Sequence, residues 1–200
     1  GIIGSGGREQ AICLSIKNSK LVKDIYCIPG NAGTEKIAKN TKIDISDFNK
    51  LKNFITERKI DFLIIGPEKP LVDGLVDFLK DTKVKLFGPN KAASQLEGSK
   101  IFTKNLCKKY NIPTANFGIF QDRAKSKNFL QNSNYPIVIK ADGLAAGKGV
   151  YICEEEQSAF SAVDERFDGK FGKAENILIE KFLDGEEMSF FIITDGKTIK

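Results

Sequence analysis

Histidine is absent from all 200 residues. That excludes Ser-His and Cys-His nucleophilic catalysis within these residues, and histidine metal sites with it. Cysteine is sparse. Cys13, Cys27, Cys107 and Cys153 stand far apart, each among apolar neighbours and without metal-ligand spacing. Buried thiols of a reducing compartment account for them, so the chain reads as cytoplasmic. No apolar run approaches the roughly 20 residues of a membrane span, and no signal-peptide pattern is visible. Basic residues outnumber acidic ones by 31 to 26, a net charge of +5, but no basic block is interleaved with aromatics. Nucleic acid and membranes are therefore poor partners, and anionic small molecules fit better. An initiating methionine is also missing. The chain opens on Gly1-Ile2-Ile3 and stops at Lys200, just after the turn signal Asp195-Gly196, so both ends read as those of a fragment.

What the chain does have is core material, 41% hydrophobic residues with 15 Phe, enough for one large domain or two smaller ones. It also has glycine concentrated at the ends of apolar runs. The densest case is Pro136 to Gly149. Ile137 to Ile139 ends in Lys140, a loop with Gly143, Gly147, Lys148 and Gly149 follows, and Val150 to Cys153 is apolar again. The pattern predicts a hairpin whose connection consists of backbone amides and positive charge. Glycine lets N–H groups approach an anion closely, and lysine adds a point charge for phosphate oxygens. A P-loop is excluded by spacing. The residue five before Gly147 is Asp142, and Lys148 is followed by Gly149 instead of Ser or Thr. The reading is a lid over a nucleoside triphosphate, with a flexible glycine hairpin and incidental lysines as the alternative.

In chain order, Ile2-Ile3 ends a first strand. Gly4-Ser5-Gly6-Gly7-Arg8-Glu9 and a helical pattern through Ala11, Ile12, Leu14 and Ile16 follow. A strand, a glycine turn and a helix form a Rossmann-type opening whose helix N-terminus favours phosphate. The dinucleotide fingerprint is incomplete, because Glu9 holds its third glycine position, and Arg8 offers a fork to a phosphate. Asp24 to Ile28 reads as a second strand, ending in Pro29-Gly30-Asn31-Ala32-Gly33-Thr34. Phe48, Leu51, Phe54 and Ile55 form a helical stripe capped by Ser46 or Asp47. Ile60 to Ile65 reads as a buried parallel strand. It is followed by Gly66 to Leu71 and a helix over Val72 to Leu79. Val84 to Phe87 is a further strand. Alternation of strand and helix gives a doubly wound α/β sheet with ligands at the strand carboxyl ends. The loops Gly4 to Arg8, Gly30 to Thr34 and Gly66 to Leu71 are thus expected to converge, with turn chemistry alone as the alternative.

Ala92 to Leu96 is a short helix, and Ser99 caps a longer one through Tyr110. The domain boundary is expected between Gly88 and Ser99. Beyond it, Phe117 to Phe120, Ile137 to Ile139, Val150 to Cys153, Ile177 to Leu183 and Met188 to Thr194 read as strands. A lysine-bearing helix and a helix over Glu154 to Phe167 are interspersed. This half is mixed and rich in hairpins.

Six of these stretches, in order, resemble phosphoribosylamine–glycine ligases of the ATP-grasp superfamily, also called glycinamide ribonucleotide synthetases. They are Gly4 to Glu9, Pro29 to Thr34, Gly66-Pro67-Glu68, Gln95 to Lys100, Lys140 to Gly149 and Glu180 to Glu187. The likeness covers essentially the whole chain and implies its N-terminal portion. It implies a Rossmann-like, pre-ATP-grasp substrate domain over 1–98 and an incomplete α+β ATP-grasp domain over 99–200, with a lid subdomain at about 115–183. The implied reaction, a step of de novo purine synthesis, activates glycine with ATP as glycyl phosphate. The amine of 5-phosphoribosylamine then attacks, giving glycinamide ribonucleotide, ADP and phosphate. Such chemistry rests on placing anions and neutralising charge.

The resemblance also implies roles for single residues. Lys140 and Lys148 are the implied catalytic lysines. The nucleotide would be held by Lys100, Lys140, Gly143, Gly147, Lys148, Gly149, Glu180, Lys181, Phe182, Leu183 and Glu187. Of these, Glu180 to Leu183 form the adenine hinge and Glu187 takes the ribose hydroxyls. Phosphoribosylamine would meet Gly6, Gly7, Arg8, Glu9, Asn31, Gly33, Thr34 and Glu68. Other ATP-grasp carboxylate–amine ligases and a non-catalytic nucleotide-binding module are the alternatives. The cofactors implied are ATP and Mg²⁺ (or Mn²⁺), with metal ligands and much of the glycine site beyond residue 200. The chain alone is thus expected to be inactive, and the protein a monomer acting on small molecules. One departure concerns Gln10, where the family usually has His; glutamine hydrogen-bonds but carries no charge.

Overall fold

The computed structural model describes residues 1–144, 149–170 and 175–200. The chain forms two compact units. One comprises Gly1–Ile112 with residues 142–144; the other comprises Pro113–Ala141 with the described residues from 149 on.

The first unit contains the doubly wound sheet. Strands β1 (Ile2–Gly4), β2 (Tyr26–Pro29), β3 (Lys39–Asn40), β4 (Phe62–Ile65) and β5 (Lys85–Phe87) are ordered β3-β2-β1-β4-β5, and every pairing is parallel. Helices α1 (Gly7–Ile16), α2 (Phe48–Glu57), α3 (Glu68–Asp73), α4 (Leu75–Leu79), α5 (Lys91–Gly98) and α6 (Lys100–Tyr110) complete it. Period-two alternation sorts the strand residues onto the two faces. Ile2, Cys27 and Ile64 pack with Cys13, Ile12 and Ile16 of α1. Ile3, Ile28, Leu63 and Ile65 pack with Leu51 and Ile55 of α2 and with Leu71, Leu75 and Leu79. Each fully buried Leu or Ile contributes about 1.5–3 kcal/mol. Cys13 and Cys27 are buried with their sulfurs 3.6 Å apart, and burial pushes the Cys27 thiol up to about 12.

Caps fall where side chains accept from free helical amides. Asp47 accepts from the Lys50 N–H, Asn90 from Ala93 and Ser99 from Phe102.

Several sequence expectations are corrected. The strand expected at Ile60–Ile65 begins at Phe62, where pairing with β5 starts; pairing with β1 starts at Ile64, and Phe62 is 46% exposed. The helix over Val72–Leu79 starts earlier, at Glu68, and is interrupted at Gly74, whose φ of +97° takes the chain out of α3. β3 is two residues long, too short to have a readable period.

In the second unit, β6 (Phe117–Phe120), β7 (Ile137–Ala141), β8 (Val150–Cys153) and β9 (Ile177–Lys181) form an antiparallel sheet ordered β6-β9-β7-β8. β7 and β8 form the expected hairpin. Helices α7 (Arg123–Gln131) and α8 (Glu156–Phe167) cover one face. Leu130, Ala159, Ala162 and Val163 pack there against Ile137, Ile139, Ile177 and Ile179. The expected strand at Met188–Thr194 is not formed. Among the described residues its pairing reduces to a Thr194–Ile199 bridge with the adjoining Ile193–Lys200 bonds, and Phe190 and Phe191 are exposed. Apolar β-formers make a strand only where a partner takes up their backbone groups.

Candidate functional site

The register Gly4↔Pro29 and Ile3↔Ile65 brings the carboxyl ends of β1, β2 and β4 side by side. The loops Gly4–Arg8, Gly30–Thr34 and Gly66–Leu71 therefore converge. Gly6 is the N-cap of α1 and has no side chain to occupy the first-turn amides, which leaves a helix N-terminus suited to an anion. Glu9 instead reaches back, accepting from the Gly6 N–H at 2.6 Å, and is 3% exposed. A Cβ added to Gly66 would overlap its carboxylate. Arg8 Nη1 donates to Glu68 Oε1 at 3.0 Å, both side chains being open to solvent. The Glu68 backbone N–H, and then Arg8, hold the Glu68 carboxyl below its ordinary range.

Asn31 joins the first two loops. Its Nδ2 donates to the carbonyls of Ser5 (2.9 Å) and Gly6 (3.1 Å), and its Oδ1 accepts from the N–H groups of Gly33 (2.8 Å) and Thr34 (2.9 Å). Thr34 is fully buried; its Oγ1 accepts from the Asn31 N–H and donates to Asn40 Oδ1. Gln10 packs so closely on Gly33 that a Cβ there would overlap its amide. Of the expected substrate residues, Gly7, Arg8 and Glu68 are exposed or half-buried, while the N–H and carbonyl of Gly6 and the N–H of Gly33 are engaged in the scaffold, as are Glu9, Asn31 and Thr34.

A second cluster in the same unit surrounds the start of α6. Ser99 Oγ donates to Asp142 at 3.0 Å, the Ile101 N–H donates to Asp142 Oδ1 at 3.2 Å, and Lys100 Nζ donates to the Gly143 carbonyl at 2.8 Å. Lys100 and Gly143, named separately in the sequence, are brought together here.

The third cluster belongs to the second unit. The registers Lys140↔Leu178 and Val138↔Glu180 place these four residues on the sheet face opposite α7 and α8. There Lys140 Nζ pairs with Glu180 Oε1, the carboxylate being 7% exposed. Val150 and Ile152 of β8, opposite Lys140 and Val138, are exposed beside them. A flat apolar ring and an anion could both be met by this face. Lys181 ends β9 and Leu183 lies past it, both exposed; the Phe182 N–H bonds the Pro136 carbonyl. Glu187 is exposed in irregular chain and is not brought to the Lys140–Glu180 pair by any contact among the described residues. Gly147 and Lys148 lie outside the described residues.

Gly149, with φ +99°, directly overlies Arg166, whose guanidinium a Cβ would overlap. Arg166 is 2% exposed and stacks on Tyr151 at 5.0 Å, and the Tyr151 hydroxyl donates to Glu165 at 2.7 Å. Burial and then that bond push Tyr151 up to about 12. Asn40, Asp142 and Arg166 were not singled out in sequence; Asp142 acts through residues more than forty positions away, and Asn40 through Asn31 and Thr34 across a loop. Only Ser99, as a cap, gave a local signal toward its cluster. The described residues contain no group of three or more His, Cys, Asp or Glu able to hold a metal, and none of their helices is long and apolar enough to cross a membrane.

The fold recurs in N5-carboxyaminoimidazole ribonucleotide synthetase from Thermus thermophilus, with a TM-score of 0.68 at 17% identity over 92% of this chain and 46% of that one. The model of the ATP-grasp (A) domain of phosphoribosylglycinamide synthetase matches residues 98–200, so the class is that of the ATP-grasp proteins. The N-domain model of the same enzyme matches residues 1–97, and the chain belongs to the phosphoribosylglycinamide synthetase family. It is 48% identical over 198 residues to the phosphoribosylamine–glycine ligase of Brucella melitensis and 45% identical over 200 residues to that of Clostridium acetobutylicum. These alignments cover 98% and 99% of this chain, and 46% and 48% of the two enzymes. The crystal structure of the Thermotoga maritima phosphoribosylamine–glycine ligase superposes with a TM-score of 0.80 at 30% identity, over 99% of this chain and 47% of that one. The chain thus spans about half the length of the curated relatives it matches.

Proposed function

We propose that the protein containing this chain is a ligase that joins glycine to 5-phosphoribosylamine in purine biosynthesis. A glycine carboxylate oxygen attacks the γ-phosphorus of ATP, and ADP leaves. The amine of phosphoribosylamine then attacks the carbonyl of glycyl phosphate, and inorganic phosphate leaves with glycinamide ribonucleotide formed. The observation that carries this reading is the match of both domain models of one family, in order, across residues 1–97 and 98–200.

Residues 1–98 are proposed as the substrate domain and 99–200 as part of the ATP-grasp domain. In that reading the α1 N-terminus at Gly6 and Gly7, with Arg8, holds the sugar phosphate, and Gly33 and Glu68 lie toward the ribose. Lys140 and Lys148 offer charge to the nucleotide phosphates; Lys100, Gly143, Gly147 and Gly149 are further nucleotide contacts that the family likeness suggests. Glu180 to Leu183 hold adenine, and Glu187 takes the ribose hydroxyls. When bound, Mg²⁺ would neutralise charge on the transferred phosphoryl group; no ligand for it is assigned among these residues. Placement and charge neutralisation carry such a transfer, which suits a chain without histidine.

The test is ADP release by the full-length protein with ATP, Mg²⁺, glycine and phosphoribosylamine. Release that requires both glycine and the amine is expected. Release supported equally by other acids or amines would point to a different carboxylate–amine ligase.

A further inference from the structure

Asn31 was expected to meet the substrate, but its geometry leaves it nothing to offer. An asparagine side chain has two N–H donors and two acceptor lone pairs. All four are used, by the Ser5 and Gly6 carbonyls and by the Gly33 and Thr34 amides. The reversed amide would set its NH₂ against two N–H groups and its oxygen against two carbonyls, so only one orientation fits.

The consequence for the loop follows from the trans peptide, whose C=O and N–H point in opposite directions. The Ser5 carbonyl is drawn to Asn31, and the Gly6 N–H of the same peptide points to Glu9 Oε2. The Gly6 carbonyl accepts from Asn31 at 3.1 Å and from the Gln10 N–H of α1 at 3.3 Å, so the Gly7 N–H of that peptide points away from both. Two carbonyl oxygens, which would repel an anion, are thereby turned inward at the N-terminus of α1.

Resting on the phosphate-binding role proposed above for this loop, we infer that Asn31 is a positioning residue. It builds the anion site by orienting the Gly6 and Gly7 peptides, and it does not touch the substrate. The alternative, a direct contact with ribose, makes a different prediction. A positioning residue affects every phosphate-bearing ligand alike, whereas a ribose ligand affects only those with the sugar.

The experiment measures binding of inorganic phosphate and of ribose 5-phosphate to the full-length protein by calorimetry. A non-hydrolysable ATP analogue is present throughout to occupy the nucleotide's phosphate positions. Asn31→Asp removes both donors and sets an oxygen against two carbonyls. Both probes should weaken by the same factor, roughly tenfold. If N31D does not fold, Asn31→Ser serves. Its hydroxyl can still receive the loop amides as a Ser turn does, but it cannot bridge to Ser5 and Gly6, and the same equal weakening is expected. Loss confined to ribose 5-phosphate, or no loss for either probe, overturns the inference. If the unsubstituted protein binds neither probe, the phosphate-binding reading itself fails and takes the inference with it.

Discussion

Lys140 and Glu180 share one sheet face, with the carboxylate 7% exposed and the lysine 27% exposed. Two opposite charges on diagonal positions of an antiparallel pair are within reach of each other, and the value of such a pair depends on what removal leaves behind. Taking away one partner of a buried pair is costly because the other charge loses its compensation. Lys140→Met should therefore lower unfolding stability by about 2 kcal/mol, below the fully buried range because the lysine is partly wet. Glu180→Gln in the same chain should recover part of that loss, since the carboxylate charge is then gone. Chemical denaturation of the two single variants and the double variant gives the coupling. Equal stability of K140M and the unsubstituted protein would show that the pair contributes nothing to the fold. ATP affinity in K140M is a separate reading, and it should fall if the lysine also meets phosphate.

At the scale of elements, much was legible because the signal was local. Ser99 and Asp47 announced helix starts by side-chain chemistry, and the apolar runs flanking Lys140 to Gly149 announced the β7–β8 hairpin. The convergence of three glycine loops followed from the rule for strand carboxyl ends in parallel sheets. What stayed hidden was side-chain pairing, some of it local and some long-range. Glu9 and Thr34 are polar and read as ligands, yet they are buried; Glu9 Oε2 accepts from the Gly6 N–H of its own loop, and Thr34 Oγ1 bonds Asn31 and Asn40. Met188–Thr194 has strand composition but lacks strand pairing. The hairpin's trailing end has a constraint of this long-range kind, since Gly149 combines φ +99° with contact on the guanidinium of buried Arg166. Gly149→Ala meets both obstacles and should destabilise the protein by about 2 kcal/mol or more, read as a lower thermal midpoint. Gly143→Ala has a positive φ but open space around its Cβ, so it should cost less. An equal loss for the two variants would mean that backbone strain alone decides, and that the Arg166 contact does not matter.

Across the 200 residues, which contain no histidine, the carboxylates set one acid response, separate from that of the Gly1 amine, which burial lowers to about 6. Asp24, Asp44, Asp47 and Glu68 in the first unit all lie below their ordinary pKa values. For Asp24 the cause is chiefly a hydrogen bond from Lys39. For Asp44 and Asp47 it is backbone N–H groups of Ser46 and Lys50, and for Glu68 its own N–H and Arg8. In the second unit the same direction holds for Glu165, beside Lys170 and Tyr151, and for Asp195, beside the Thr198 N–H. A carboxyl whose folded pKa is depressed gives stability that is complete above its unfolded value and disappears as pH falls through the folded one. The sign is therefore loss on acidification, beginning near the ordinary carboxylate range of roughly 4 to 4.5 and deepening below it. Each of these carboxyls is largely solvated, so the loss should build from several small steps, and salt should weaken the ion-paired part of it. The groups also act locally: Asp47 caps α2, and Asp24 holds Lys39 at the edge strand β3. Hydrogen exchange at falling pH should accordingly show α2 and the β3 edge opening early, while the buried strand β1 stays protected. A thermal midpoint that does not move between pH 5 and pH 3 (roughly the carboxylate window) would contradict the assignment. So would protection lost from β1 before α2.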